Sequence, residues 1–599
     1  MAIAMRPEIK GDFGAVSSTH PLASAVGMAV LERGGNAFDA ATAAGFVLQV
    51  VEPQNNGPGG DVTILLHSAI QDTPQSICGQ GPMPASATLS SFHDLGLSQI
   101  PGSGLLPATV PGAIGAWLRL LAEFGSMRLA DILDYAIGYA AGGFALLPET
   151  ARAIASLAPL YIEEWPGSAA TYLVGGKAPT AQTRFSNQAL AETYLRLIRA
   201  GAGATSREAQ IQAAHDAFYQ GFAAEAIDRF ARTTTALDST GRRHRGLLRG
   251  EDMAVWAPTV EDATGLDYQA YQVYKPGVWS QGPVFLQQLA LLDGFDVESL
   301  DATSADYVHT VVECAKLAMC DREAWYGDPL HSNIPLAGLL DPRYAAARRK
   351  LIGQEASGEL RPGSPDGRAS WIPLPETVEQ PPSDQDWMTQ IRSGLPTLAQ
   401  STAARDDTCC VTVADRHGNL VAATPSGGWL KSSPAIAALG FPLGTRGQSM
   451  WLVEGHPNAL APRRRPRTTL SPTVVLHEGK PYLAFGTPGG DRQDQWTLLF
   501  FLAVAHSHVD LQQATELPMF HTDALPASFA PREHRPRGVM MENSFSPEVL
   551  ADLRRRGHEI TEVPAFSLGK ICATGFTGDA GYIAAAAGPR GRQAYAMGR

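Results

Sequence analysis

The junction Asp406-Asp407-Thr408 is the first place where residue types and spacing suggest chemistry. It lies between a proline-rich stretch and a run of small, β-compatible residues, Cys409 to Ala414. If the Asp407–Thr408 bond were cut, Thr408 would carry both its hydroxyl and a free α-amine, a self-contained nucleophile and base. A threonine hydroxyl is too weakly acidic to react unaided, whereas an α-amino group of pKa roughly 7.7–8.0 accepts its proton near neutral pH. On composition alone Thr408 reads far more readily as an ordinary residue at the start of a strand than as a nucleophile. Cys409 and Cys410 are intrinsically better nucleophiles, but only the first residue of a cut chain carries the amine, and strand alternation sends neighbours to opposite faces. A core role is expected for both. The run Arg463-Arg464-Arg465-Pro466-Arg467 reads as a solvated stretch, with Arg467 pairing with a carboxylate, rather than as an entrance for an anionic substrate. His417 and His456 fall in turns without metal-ligand partners at a useful spacing, so neither metal nor cofactor is expected.

The elements that must position these groups change character along the chain. Apolar spacing predicts helices over 21–33, 37–51, 113–124, 188–200, 206–231 and 306–322, the first stopped by Gly34-Gly35-Asn36. Glu52 to Gly60 holds two prolines and three glycines, which break helix and central strand alike, and a strand is expected over 61–68. A short basic patch, Thr240 to Gly246, reads as a solvated loop. Residues 361–400 hold seven prolines, a linker composition. Two hairpins follow: 409–414 with 420–424, and 473–476 with 481–485.

Composition narrows the function classes. The chain has 599 residues, 44% apolar and 18% charged, which excludes a disordered acidic polymer and a coiled coil. Lys and Arg number 47 against 59 Asp and Glu, and the net charge of −12 disfavours nucleic acid or an anionic membrane as the main partner. A small molecule is expected instead. Six cysteines without a Cys-x-x-Cys pair argue against a disulfide scaffold, and the charged N-terminus lacks the apolar core of a signal peptide. Leu498 to Ala505 is far shorter than the ~20 residues of a membrane span. A cytoplasmic protein is the expectation.

The segment Asp407-Thr408-Cys-Cys-Val-Thr-Val-Ala-Asp415-Arg-His-Gly418-Asn419 resembles the nucleophile segment of the γ-glutamyltranspeptidase family, N-terminal-nucleophile hydrolases that cleave themselves before the corresponding threonine. Further family-like segments follow in the family's order: Gly34-Gly-Asn-Ala-Phe-Asp39, Glu52-Pro with Gly57-Pro-Gly59-Gly60, Pro107 to Gly112, Cys320-Asp-Arg322 with Gly327-Asp328-Pro329, Ser471-Pro-Thr473, and Gly486-Thr-Pro-Gly489-Gly490. Each is weak alone, and the ordered set is specific. The resemblance implies an α/β, four-layer αββα sandwich of the N-terminal-nucleophile hydrolase type. It would be built jointly by residues 1–407, ending in a mobile Pro-rich linker from about 355, and 408–599. The two subunits of the cleaved precursor are then each other's partners, with a homodimer of such heterodimers as a further expectation.

The resemblance also implies roles for particular residues. Thr408 matches the nucleophile and Asp407–Thr408 the cleavage site. Ser426 matches a hydroxyl that bonds the freed amine and the nucleophile, and Gly489 and Gly490 match the pair whose N–H groups form the oxyanion hole. Thr468 and Thr469 match a Ser-Ser pair contacting the glutamyl carboxylate. Other positions depart from the family. Its arginine for the substrate α-carboxylate is matched by uncharged Gln80, and its two readers of the α-amine by Gly428 and Ser449. A γ-glutamyl group is expected to bind poorly, because a desolvated charge left unpaired costs several kcal/mol. Arg446 offers a different anchor for a carboxylate, and the family's substrate-covering lid, before Asn458, is shorter. The expected activity is hydrolysis of a small carboxylate-bearing amide, oxamate-like. Next come a cephalosporin or glutaryl acylase and a true γ-glutamyltransferase or glutathione hydrolase, with an unprocessed metabolite-binding protein as the non-enzyme alternative.

Overall fold

The computed structural model of the chain describes residues 5–374, 408–507, 509–577 and 581–599. Asp406, Asp407 and most of the proline-rich stretch lie outside the described residues. Two seven-stranded antiparallel sheets form the centre. One runs Tyr595–Gly598, Gly14–Ser18, Val411–Asp415, Leu420–Ser426, Asp61–His67, Gln75–Gly79, Thr259–Asp262 in spatial order. The other runs Ile9–Gly11, Tyr582–Ala587, Cys572–Thr577, Lys480–Gly486, Thr473–His477, Tyr271–Lys275, Thr264–Tyr268.

The strand period of two explains the layers. Cys409, Val411, Val413, Val421 and Ala423 join a core with the helices Pro21–Glu32, Ala37–Val51 and Ala113–Phe124. Their alternates Ala414, Leu420 and Ala422 meet Val474, Ala484, Ile583 and Ala585 of the other sheet. The second sheet's outer face packs on Pro283–Leu292, Ala305–Trp325 and Gln493–Ser507. Helices thus flank both sheets, the expected αββα order. So many alanines between the sheets leave little side-chain volume to hold them apart.

Local signals set most boundaries. Asn36 caps Ala37–Val51 in a reciprocal capping box with Asp39, after Gly34 turns the chain at φ +94°. The helix expected over 206–231 is two, Arg207–Tyr219 and Phe222–Thr233, broken at Gly221, whose backbone leaves the helical region. The patch at 240–246 contributes a short strand, Arg243–Arg245, paired with Thr235–Leu237 and tied by His244 to Asp238. Part of the proline-rich stretch is anchored rather than linker-like: Gly363 N–H donates to Asp321 at 2.7 Å, and Trp325 Nε1 donates to the Gly363 carbonyl.

The basic run is corrected in one respect. Arg465 is buried and pairs with Asp328 and Glu261, and Arg467 is buried against Glu323 at 2.7 Å. The solvated reading counted charges without the acids that the fold brings from residues 261, 323 and 328. The expected pairing of Arg467 with a carboxylate is present.

Candidate active site

Thr408 and Ser426 face each other across an antiparallel bridge at the open end of the 411–426 hairpin, both buried. Their hydroxyl oxygens are 3.2 Å apart, and Cys409 N–H donates to the Pro425 carbonyl, fixing the register. The cysteines point away from each other as alternation requires. Cys409 Sγ donates to Glu52 and accepts from Asn56 on the helix side, while Cys410 packs with Cys572. Burial pushes both thiols well above their ordinary range, so neither offers a ready thiolate. Glu52 also accepts from Thr19 at 2.6 Å, and burial pushes its carboxyl up.

Ser426 is paired in register with Asp61, the first residue of its strand. Asp61 receives a two-point contact from Arg446, Nε and Nη2 each at 3.0 Å, and Thr468 Oγ1 lies 3.5 Å from the same carboxylate. The Arg446 guanidinium also stands over the rings of Trp429 and Phe529 at 5.3 and 5.5 Å. One edge of Arg446, expected to be open to a substrate carboxylate, is therefore occupied by Asp61; its Nη1 has no hydrogen-bond partner among the described residues, nor has Thr469 Oγ1. Gln80 is buried and donates to the Gly81 carbonyl, and its Oε1 has no hydrogen-bond partner among the described residues. Ser449 donates to the Arg467 carbonyl, and Gly428, at φ +62°, packs on the Gly59-Gly60 backbone. Neither can neutralise an ammonium group. Asp61 is the residue that sequence reasoning passed over. Its signal was an acid at the head of the largely apolar strand Asp61–His67, immediately after Gly59-Gly60.

The Gly489-Gly490 turn follows the strand Lys480–Gly486. Gly486 lies against Cys410 and Thr424, each two residues from the hydroxyl pair, so the turn emerges beside it. Gly489 adopts φ +133°, and a Cβ there would stand 2.2 Å from the Trp496 ring, so only glycine fits. Gln281 Nε2 donates to the Gly490 carbonyl, and Arg322 holds Gln281 Oε1 at 2.9 Å while pairing with Asp491. Asp491 accepts from Ser528 N–H and Oγ at 2.8 and 2.6 Å. A hydroxyl pair and a neutralised acid–guanidinium pair thus share one end of the strand Leu420–Ser426, and the buried glycine turn follows the neighbouring strand Lys480–Gly486. Among the described residues no group of three His, Cys, Asp or Glu side chains is placed to hold a metal ion, and no helix is long and apolar enough to cross a membrane.

Two helix-flanked antiparallel sheets with a threonine heading a central strand define an N-terminal-nucleophile hydrolase. The family model for gamma-glutamyltranspeptidase matches residues 23–598, and the chain belongs to that family. Among solved structures, that of LmbA2991HD is 49% identical over the full length of both chains at a TM-score of 0.93. The cephalosporin acylase from Bacillus halodurans is 25% identical, covering 100% of this chain and 97% of its own, at a TM-score of 0.82. Among curated relatives, the glutathione hydrolase-like YwrD proenzyme of Bacillus subtilis (strain 168) is 29% identical over 98% of this chain and 99% of its own. The oxamate amidohydrolase proenzyme of Klebsiella pneumoniae is 28% identical over 92% of each. The chain is an enzyme of this class, and relatives at similar identity carry names for different substrates.

Proposed function

We propose that this chain cleaves itself between Asp407 and Thr408 and then hydrolyses a small amide bearing a carboxylate, oxamate-like in kind. The observation that carries the reading is the Thr408–Ser426 hydroxyl pair set beside Asp61–Arg446 in register. After cleavage, Thr408 Oγ attacks the amide carbonyl while the α-amine takes its proton. Gly489 and Gly490 donate N–H groups to the oxyanion. Collapse expels the amine, which takes the proton from the α-ammonium and leaves an acyl ester on Thr408. Water, deprotonated by the Thr408 α-amine, then attacks the ester, and return of that proton to Thr408 Oγ frees the acid and the Thr408 hydroxyl.

The acyl pocket argues for the substrate class. Asp61 and Arg446 cancel each other's charge, and Gln80, Gly428 and Ser449 add none, so a zwitterionic γ-glutamyl group meets neither of its counter-ions. The donors left over, Arg446 Nη1 and the hydroxyl of Thr469, suit an oxygen-rich acyl group. A cephalosporin-type acylase is the second reading, favoured by the Trp429 and Phe529 rings flanking Arg446, which suit a larger side chain. Turnover of oxamate, glutaryl and γ-glutamyl p-nitroanilide by the purified protein separates them. Oxamate or glutaryl turnover is expected to dominate; efficient γ-glutamyl turnover that needs the α-amine contradicts this assignment.

A further inference from the structure

We infer that Arg532 is an anion-binding residue that takes a carboxylate of the substrate, remote from the scissile bond. The inference rests on the hydrolase reading above for the identity of the anion, and on the following geometry for the site itself.

Arg532 is buried, and its Nη2 donates to the carbonyls of Gln448 and Met450 at 2.8 and 2.7 Å. Its guanidinium lies 3.9 Å from the centre of the Trp451 ring. Among the described residues no acid pairs with it. The charged groups that act on it most strongly are Arg322, Arg467, Glu323 and Asp491, with His456 bound to the Glu323 carbonyl; Glu323 pairs with Arg467 and Arg322, and Asp491 with Arg322. Burial pushes His456 down to about 4, so it is neutral at pH 7. Three guanidiniums therefore face two carboxylates, and the uncompensated positive charge falls to Arg532. A buried charge without a counter-ion is costly, and an incoming anion removes that cost.

Two further features mark the spot. Arg532 Nη1, a donor, is buried without a hydrogen-bond partner among the described residues, although buried polar atoms are nearly always satisfied. Arg532 also adopts φ +63°, a left-handed conformation that disfavours a long side chain at a position where glycine or asparagine is the easier choice. The place in the fold fits a substrate contact. Gln448 shares the short turn Arg446–Ser449 with Arg446, and Arg532 shares its loop with Phe529, which packs on Arg446, and Ser528, which binds Asp491 beside Gly490. The loop 528–532 thus touches the oxyanion turn, the acyl pocket and the orphan guanidinium together.

The test uses the purified, processed protein. Thermal unfolding with sodium malonate, against sodium chloride at equal ionic strength, reads anion binding without requiring turnover. Malonate is expected to raise the midpoint of the wild-type protein and not that of Arg532→Gln. In parallel, Arg532→Gln is expected to raise KM for glutaryl p-nitroanilide about 10- to 100-fold, the worth of a charge-assisted hydrogen bond, while kcat/KM for neutral butyryl p-nitroanilide stays within about threefold. If Arg532→Gln does not fold, Arg532→Lys, which keeps the charge but lacks Nη1, is expected to lose most of the malonate shift. A malonate shift unchanged in either variant, or equal loss on glutaryl and butyryl compounds, overturns the assignment. Absence of amide turnover in the wild type would instead sink the hydrolase reading and leave the malonate comparison to decide Arg532.

Discussion

At the residue scale, Thr408 stood out as a candidate because the chemistry proposed for it needs a bond that can be cut before it, and the family resemblance, rather than composition, singled it out as the nucleophile. Ser426 and the glycine pair followed from the resemblance, and the structure sets Ser426 3.2 Å from Thr408. Asp61 was not legible as a partner, since nothing local links it to Arg446, 385 residues away. That pairing makes a prediction. Asp61→Asn leaves Arg446 buried without a carboxylate and should destabilise the protein by about 3–5 kcal/mol, read from denaturant unfolding. The double variant Asp61→Leu with Arg446→Met should recover much of that loss, and a double variant no more stable than Asp61→Asn contradicts the pairing. Glu52 makes a second prediction. Burial raises its pKa in the folded state, so the folded protein holds this proton more tightly than the unfolded chain does. Stability linked to Glu52 is then unaffected below the unfolded pKa of about 4.3 and declines as pH rises past it. Glu52→Gln should therefore gain relative stability between pH 4 and pH 7 in thermal melts; a gain that grows toward acid has the wrong sign.

At the element scale, helices with one apolar face and a cap were readable to within a residue or two, as Ala37–Val51 and Ala113–Phe124 illustrate. The helix over 206–231 was read as unbroken because the flanking spacing outweighed one glycine, Gly221. Burial of Arg465 and Arg467 was unreadable because it depends on acids supplied by distant elements. The glycine turn carries the element's test. Gly489→Ala places a Cβ against Trp496 at a backbone angle that alanine resists, tilting the amides proposed to face the oxyanion. A fall in kcat of about 10²-fold or more, with KM changed far less, is expected from steady-state kinetics on folded variant. An unchanged kcat removes Gly489 from the oxyanion hole.

At the scale of the whole molecule, the notable fact is where the proposed cut falls. The strands Val411–Asp415 and Leu420–Ser426 are hydrogen-bonded on their outer edges to Gly14–Ser18 and Asp61–His67, so residues before and after 408 share one sheet. Dividing 599 residues into conventional domains misses this, because strands from both sides of residue 408 complete the same sheets. The two pieces should accordingly co-elute in gel filtration and part only in denaturant, and residues 408–599 expressed alone should not fold. Recovery of a soluble, cooperatively melting 408–599 fragment would contradict that picture.

The central claim is that Thr408 becomes an N-terminal nucleophile, and intact mass spectrometry with N-terminal sequencing of the purified protein tests it most directly. The account predicts two polypeptides, the smaller beginning at Thr408, and a single uncut, inactive chain for Thr408→Ala. An active wild-type protein that remains one polypeptide, or is cut elsewhere, would contradict it.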